Sequence, residues 1–207
     1  MNAENDPDSS LRDRLADEVA AEAAFEGFGW KSLAVAAERL ALPREEADRL
    51  FPGGGPGVLA FLSERSDARM VEALEKAGIG TMKVRDRIRL AVRTRIEQHA
   101  GSKETARRAL ALLALPLNAP LGLKLLYRTV DAMWYAAGDT SADFNFYTKR
   151  ATLAGVYSST LLFWLNDRSP GDEATWAFLD RRIDNVMSFE KLKGQFTSRA
   201  QAASSRR

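Results

Sequence analysis

The sequence predicts an all-α fold. Apolar residues recur every three or four positions along almost the whole chain, and alternating strand-like runs are nearly absent. Glycine and proline interrupt this pattern at intervals typical of helices in globular proteins. With 207 residues, of which 45% are hydrophobic and 28% charged, the chain is long enough to bury a sizeable core.

Three short helices are predicted first. The first carries the apolar stripe Leu11, Leu15, Val19 and Ala23 and ends near Gly27. The second follows Trp30, and the third begins at Pro43, since proline suits the first turn of a helix.

Six longer and more apolar helices follow. Pro56 opens the fourth and Ser102 caps the sixth. The fifth runs from Lys83 to about His99, and the last three are predicted over 120–135, 142–165 and 172–187.

The positions of the glycines divide the chain into four parts. We expect a disordered lead-in over residues 1–10, a helix-turn-helix-like head over 11–52, a helical bundle over 56–187 and a basic tail over 188–207. The tail holds five basic residues and one acidic residue, whereas the formal net charge of the chain is only +2. The start MNAENDPDSS does not resemble a secretory signal, so a cytoplasmic protein is expected.

The head resembles the DNA-reading head of TetR-type regulators in GFGWKSLAVAAERLALPREEADRLFPGG. A reading helix presents basic and hydrogen-bonding side chains to DNA. Here the third helix carries Glu45, Glu46 and Asp48 against two arginines, and these acids repel phosphate. We therefore expect a structural remnant of that fold and no nucleic-acid partner.

Residues able to catalyse a reaction are few. His99 is the only histidine, and there is no cysteine, so no histidine cluster or thiolate metal site can form within the chain. We interpret His99 as a solvated helix-end residue and Asp139 and Asp143 as helix caps. The basic residues of the fifth helix are interpreted as a solvated face paired with neighbouring acids. The prediction is a protein that is not an enzyme and holds no metal or cofactor.

The least ordinary chemistry lies in VDAMWYAAGDTSADFNFYTKRATLAGVYSST, residues 130–160. Aromatic residues surround a polar turn there, and Asp143, Tyr147 and Arg150 stand at positions i, i+4 and i+7, so they are predicted to share one helix face. Tyrosine and arginine are frequent anchors of protein interfaces.

This segment identifies a family resemblance. GDTSADFNFYTKRATLAGVYSSTLLFWLNDRSP, followed by TWAFLDRRIDNVM, resembles the ubiquinone-biosynthesis accessory lipid-binding family, the ninth protein of the eukaryotic coenzyme Q series, with relatives in alphaproteobacteria. The resemblance implies a TetR-like fold, usually a homodimer, with a cavity for an isoprenoid lipid. It also implies a di-iron partner, demethoxyubiquinone hydroxylase, contacted through a patch that maps onto Asp131, Met133, Trp134, Asp143, Phe146, Tyr147 and Arg150.

Two further sets of residues follow from this interpretation. A helical bundle can hold a polyprenyl chain where its core is incompletely packed, and the candidate lining residues are Leu110, Leu113, Leu125, Val130, Leu153 and Val156. The tail forms a short basic amphipathic stripe suited to peripheral attachment to the inner membrane, through Phe189, Lys191, Leu192, Lys193 and Phe196. A TetR-type repressor with an apolar effector pocket is the alternative function, and a scaffold without a ligand is a third.

Overall fold

The computed structural model describes residues 7–99, 102–139 and 144–186. Within these ranges the chain forms nine α-helices and no strand, which confirms the predicted all-α fold. The helices are α1 (Pro7–Glu26), α2 (Trp30–Arg39), α3 (Arg44–Leu50), α4 (Gly54–Lys76), α5 (Val84–Glu97), α6 (Lys103–Leu113), α7 (Ala119–Ala136), α8 (Phe144–Asn166) and α9 (173–186).

The helix ends follow local chemistry. The Ser102 hydroxyl caps α6 by accepting a hydrogen bond of 3.0 Å from the Thr105 amide, as predicted. Pro43 lies one position before α3 rather than inside it. α1 begins at Pro7, so residues 7–10 belong to a helix and not to the expected lead-in. The reason is that Pro7 restricts φ to helical values and has no amide hydrogen to leave unpaired.

Two hydrophobic cores lie along α4. Val58 and Leu59, near its start, pack with α1, α2 and α3 in the head core. Met70 and Leu74, near its end, belong to the bundle core with α5, α7, α8 and α9. α4 therefore joins the head to the bundle as one continuous helix.

The start of α4 packs closely against the backbone that precedes α2. A Cβ atom on Gly55 would lie 2.4 Å from the Phe28 carbonyl oxygen, and one on Gly54 would lie 2.8 Å from the Trp30 ring. Real Cβ atoms do not approach this closely. The packing therefore requires glycine at both positions.

Most of the basic face of α5 is paired with acids, as predicted. Arg89 donates to Asp180 of α9 at 2.5 Å, and Arg85 pairs with Asp184 on the next turn of α9. Arg93 pairs with Glu97 at 2.7 Å. Arg87 instead donates to backbone carbonyls, and Arg95 is buried, where it pairs with Asp67 of α4 between the head and the bundle.

Candidate functional site

A cavity of about 930 Å³ lies between the head and the bundle. Ligand sites commonly measure about 300–1,000 Å³, so this one is large. Helices α1, α4, α6, α7 and α8 supply most of its wall, which is predominantly apolar. The leucines and the phenylalanine on this wall are Phe28, Leu59, Leu62, Leu110, Leu113, Leu123, Leu125, Leu126, Leu161 and Leu162.

Alanine residues of α1 and α6 form two sides of the cavity wall. Ala20, Ala21 and Ala24 lie on α1, while α6 contributes Ala106 and Ala109. Protein interiors are normally filled to crystal-like density. These alanine side chains are too short to fill the space between the facing helices, so the cavity remains open beside them.

The cavity has a polar end. Arg95 Nε donates to Asp67 Oδ1 at 2.8 Å, and Arg95 Nη2 lies 3.4 Å from the Ser63 hydroxyl. The Thr129 hydroxyl lies 2.9 and 3.1 Å from the two Asp67 oxygens. A buried ion pair repays its desolvation only when further hydrogen bonds complete it. We call Ser63, Asp67, Arg95, His99, Thr129 and Tyr157 the polar cluster.

His99 belongs to this cluster, so its interpretation as a solvated helix-end residue was wrong. Arg95 Nη1 lies 2.5 Å from His99 Nε2. Burial and the positive charge of Arg95 together lower the pKa of His99 to about 3, so the imidazole is neutral near pH 7. The spacing of four residues between Arg95 and His99 could have suggested this contact, because the fifth helix was predicted to run to about His99.

Three of the six predicted lining residues lie at the cavity. Leu110, Leu113 and Leu125 line it, and the other three are packed in the bundle core: Val130, Leu153 and Val156. On α7, successive residues are turned by about 100°, which places Val130 roughly 140° around the helix from Leu125. The wall also includes Leu126, Leu161 and Leu162, which were not predicted from the sequence. Hydrophobic periodicity identifies the buried face of a helix, but it does not show whether that face borders a cavity or a filled core.

Exposed leucines surround one side of the cavity. Leu123 and Leu162 line it and are also exposed to solvent. Leu115 and Leu117 are exposed too, in the connection between the lining residues Ala114 and Ala119. An apolar ligand would meet this apolar rim on its way into the cavity.

The predicted partner patch is centred on Arg150, which is only 5% exposed. Its Nε donates to Asp131 Oδ1 at 2.6 Å, and its Nη1 lies 3.3 Å from Asp139 Oδ2. Asp139 also accepts from Lys149 at 2.7 Å, so it is an ion-pair partner of two basic residues of α8. These bonds hold α7 against α8.

Tyr147 points elsewhere and is 67% exposed. Asp131 and Asp139 draw the Arg150 guanidinium inward, so of these two predicted patch residues Tyr147 alone is largely exposed. The Phe146 and Tyr147 rings pack edge-on with 5.2 Å between their centroids, and the Arg150 guanidinium lies over the same Phe146 ring. Trp134 is half-buried and donates to the Lys149 carbonyl at 3.1 Å.

Two other patch residues do not lie on the described surface. Met133 is fully buried in the bundle core, so it cannot contact a partner directly. Asp143 lies outside the described residues, as do the tail residues Phe189, Lys191, Leu192, Lys193 and Phe196. The exposed part of the predicted patch is thus Tyr147, with half-buried Asp131, Trp134 and Phe146 beside it.

A second concave surface adjoins the patch. A groove of about 580 Å³ runs between α4 and α7, and Asp131 and Tyr135 line the part of it near the patch. Glu72 and Glu75 on α4 make this groove predominantly acidic, with Arg128 as its basic member. No local sequence pattern predicts this groove, because its two walls are far apart along the chain.

Within 7–99, 102–139 and 144–186, no group of three or more histidine and carboxylate side chains could hold a metal ion. In the same part of the chain, no helix combines the length and the apolar character needed to cross a membrane.

Comparison with known proteins finds relatives named COQ9. The COQ9 family model matches residues 119–190, which include α7 and α8 with the predicted patch. The COQ9-B protein of Xenopus laevis, named as a mitochondrial ubiquinone biosynthesis protein, is 37% identical over 183 residues, covering 84% of this chain and 62% of that protein. The chain is similar to COQ9 proteins over most of its length.

Other COQ9 proteins match at similar levels. Human COQ9 is 36% identical over 84% of this chain, and Drosophila melanogaster COQ9 is 32% identical over 90% of it. Both are named as mitochondrial ubiquinone biosynthesis proteins. The chain spans about three fifths of the length of the curated COQ9 proteins that it matches.

A solved structure confirms the fold predicted for this COQ9 homologue. A TetR transcriptional regulator from Nitrosomonas europaea superimposes with a TM-score of 0.70, covering 84% of this chain and 97% of the regulator. The two sequences are 23% identical, so the likeness shows a common TetR-like fold alone.

Proposed function

We propose that this chain binds a polyprenyl intermediate of ubiquinone biosynthesis in the cavity between its head and its bundle. It would present the intermediate to demethoxyubiquinone hydroxylase without catalysing a reaction itself. The observation that carries the proposal is the apolar cavity of about 930 Å³ in a COQ9 homologue. The names of the relatives indicate the pathway, and the apolar wall of the cavity indicates an apolar ligand.

A polyprenyl chain is too apolar to cross water, since each buried CH₂ is worth about 0.8 kcal/mol of transfer free energy. A wall built mainly from leucine and alanine offers such a chain an environment close to the bilayer interior. The exposed rim leucines, Leu117 above all, support entry from a membrane surface on this side. Peripheral attachment to the inner membrane and a homodimer are parts of the same proposal.

Presentation to an enzyme requires a docking surface that remains accessible. Tyr147 and Tyr135 are exposed tyrosines on α8 and α7, and tyrosine is enriched among residues that dominate binding energy. The proposed surface for the hydroxylase consists of these two side chains with Trp134 and Phe146.

The repressor alternative has less support. DNA binding needs free cationic side chains on α3. Instead, Arg49 donates to Asp8 at 2.8 Å and to Glu46 at 2.7 Å, and Arg44 lies 3.8 Å from Asp48. A reading helix whose arginines are already paired with carboxylates offers phosphate little attraction.

Lipid extraction from protein purified from a ubiquinone-making host tests the proposal, with mass spectrometry as the readout. The double variant Leu126→Trp/Leu161→Trp should fill the cavity and lower the lipid-to-protein ratio, because both residues line it. Val84→Trp is the matched control, since it adds the same indole at an exposed position of α5 that does not line the cavity. An equal lipid content in the double variant and the control, with circular dichroism showing both folded, would contradict the proposal.

A further inference from the structure

The polar cluster lies at the wall of a cavity that is otherwise built for hydrocarbon. A ligand without any polar group would offer the polar cluster no hydrogen-bonding partner. The cluster is costly to bury: Arg95 is 4% exposed and Asp67 is 7% exposed. Such groups are found at ligand sites more often than in purely structural cores.

The hydrogen bonds fix which atom of His99 carries the proton. A guanidinium can only donate, so His99 Nε2 accepts from Arg95 Nη1, and the neutral ring must carry its hydrogen on Nδ1. Among the described residues, His99 Nδ1 forms no hydrogen bond that would use this hydrogen. His99 also lines the cavity. It therefore provides a neutral N–H donor at the polar end.

Tyr157 provides a second donor. It lines the cavity from α8 and is 6% exposed. Burial raises the pKa of its phenol, so the hydroxyl keeps its proton near pH 7. Replacing it by phenylalanine would remove one oxygen and leave the ring in place.

The charges at this end are balanced. Arg95 is neutralised by Asp67 at 2.8 Å. Arg65, which also lines the cavity, is paired with Asp13 at 2.7 Å and with Asp17. Asp67 itself lines the groove between α4 and α7, and it neutralises Arg95 from behind the cavity wall, so Arg95 offers an anionic head group little net positive charge. Arg69 also lines the cavity, but it is exposed to solvent.

We propose that His99 and Tyr157 form a head-group subsite, which donates hydrogen bonds to a neutral oxygen acceptor on the ring of the bound lipid. A quinone carbonyl or a ring ether oxygen fits this description, and a phosphate does not. Asp67, Ser63 and Thr129 position Arg95, and Arg95 holds the His99 ring in the donating tautomer. This inference rests on the proposed function, since it requires that the cavity hold a lipid.

Two probes with the same alkyl chain test the subsite in the chain of 207 residues. Decyl-substituted benzoquinone carries two ring oxygens, and decylbenzene has a six-membered ring of similar size without them. Displacement of a fluorescent polyene fatty acid gives the affinity of each. Tyr157→Phe and His99→Leu should each weaken binding of the quinone about threefold to tenfold, the worth of one net hydrogen bond. Neither variant should change binding of decylbenzene.

Three further variants make the outcomes separable. His99→Gln keeps an amide donor and should recover part of the quinone affinity. Ser159→Ala, which removes a hydroxyl from α8 at a position that does not line the cavity, should leave it unchanged. Unweakened quinone binding in Tyr157→Phe and His99→Leu, with Leu126→Trp/Leu161→Trp still abolishing it, would overturn the subsite and leave the lipid cavity standing.

Failure of the proposed function would look different. In that case the cavity-filling variant would not alter binding of either probe. A third probe, dioleoyl phosphatidic acid in detergent, covers the anionic alternative. Tighter binding of this lipid than of the quinone, lost in Arg69→Ala and retained in Tyr157→Phe, would assign the head group to the rim and overturn the proposed subsite.

Discussion

Arg150 of α8 binds Asp131 of α7 through a hydrogen bond of 2.6 Å between Nε and Oδ1. The same guanidinium reaches Asp139, whose side chain is almost completely buried. One arginine thus joins two neighbouring helices and neutralises a buried carboxylate. Arg150, which the family resemblance places in a partner patch, therefore connects α7 and α8 within the folded chain.

Replacing Arg150 by methionine should lower the free energy of unfolding by about 3 kcal/mol. The loss arises because Asp139 would stay buried with less compensation, and breaking one side of a buried ion pair typically costs about 3–5 kcal/mol. Urea denaturation measures this directly. Arg128→Met is the matched control, since the Arg128–Glu64 pair is exposed and worth about 0–1 kcal/mol. Equal effects of the two substitutions would show that the Arg150 network is not stabilising.

Gly55 and Gly57, which are two residues apart on α4, test the packing of the head. Gly55→Ala should destabilise the protein by about 1–3 kcal/mol, because the new methyl group would press on the Phe28 carbonyl. Gly57→Ala, on the same helix, should stabilise it by about 0.5–1 kcal/mol, because no atom lies within 4 Å of the added Cβ and alanine favours helix. Thermal unfolding followed by circular dichroism separates the two, and a stabilising Gly55→Ala would contradict the close approach.

The protonation of His99 predicts a pH dependence of stability. Its pKa is about 3 in the folded chain and near 6.5 when unfolded, so the unfolded chain binds more protons between these values. The free energy of unfolding should therefore decrease as pH falls from 6.5 towards 3, by up to about 1.4 kcal/mol per pH unit from this group.

The pH window from 7.5 to 5.5 isolates this effect, because His99 is the only histidine and few carboxylates titrate there. Urea midpoints measured across it should decrease for the natural chain and stay nearly constant for His99→Gln. If both proteins lose stability in parallel, another group is responsible and His99 is not held neutral by burial.

Local patterns in the sequence predicted the helices well, and contacts between distant segments account for what was missed. Ser102 caps α6 as expected, because a cap depends on residues three positions apart. The bond between Arg95 and Asp67 joins residues 28 positions apart on two helices, and no local pattern reports such a pairing. Likewise, Leu125 and Val130 are both apolar positions of α7, and only the arrangement of α4, α6 and α8 decides which of them faces a cavity.

The same distinction applies to the partner surface. Tyr147 and Arg150 are three positions apart, a spacing that places two residues on neighbouring parts of a helix face. Their exposures differ more than tenfold, 67% against 5%, because Asp131 and Asp139 bind one of them and not the other. A test of partner binding should therefore alter Tyr147 and leave Arg150 intact, since loss of Arg150 would weaken the fold as well.

Tyr147→Ala should weaken association with demethoxyubiquinone hydroxylase by at least 2 kcal/mol, about thirtyfold, if Tyr147 anchors the proposed docking surface. The free energy of unfolding should change by no more than about 0.5 kcal/mol, because the side chain is largely exposed and its described ring contact is with Phe146 alone. Tyr127→Ala is the matched control, an exposed tyrosine on α7 that lies apart from the predicted patch. Calorimetric titration against the hydroxylase should give natural affinity for Tyr127→Ala and a large loss for Tyr147→Ala. Natural affinity in both variants would place the hydroxylase contact elsewhere, with the acidic groove between α4 and α7 as the next surface to test through Glu72→Lys.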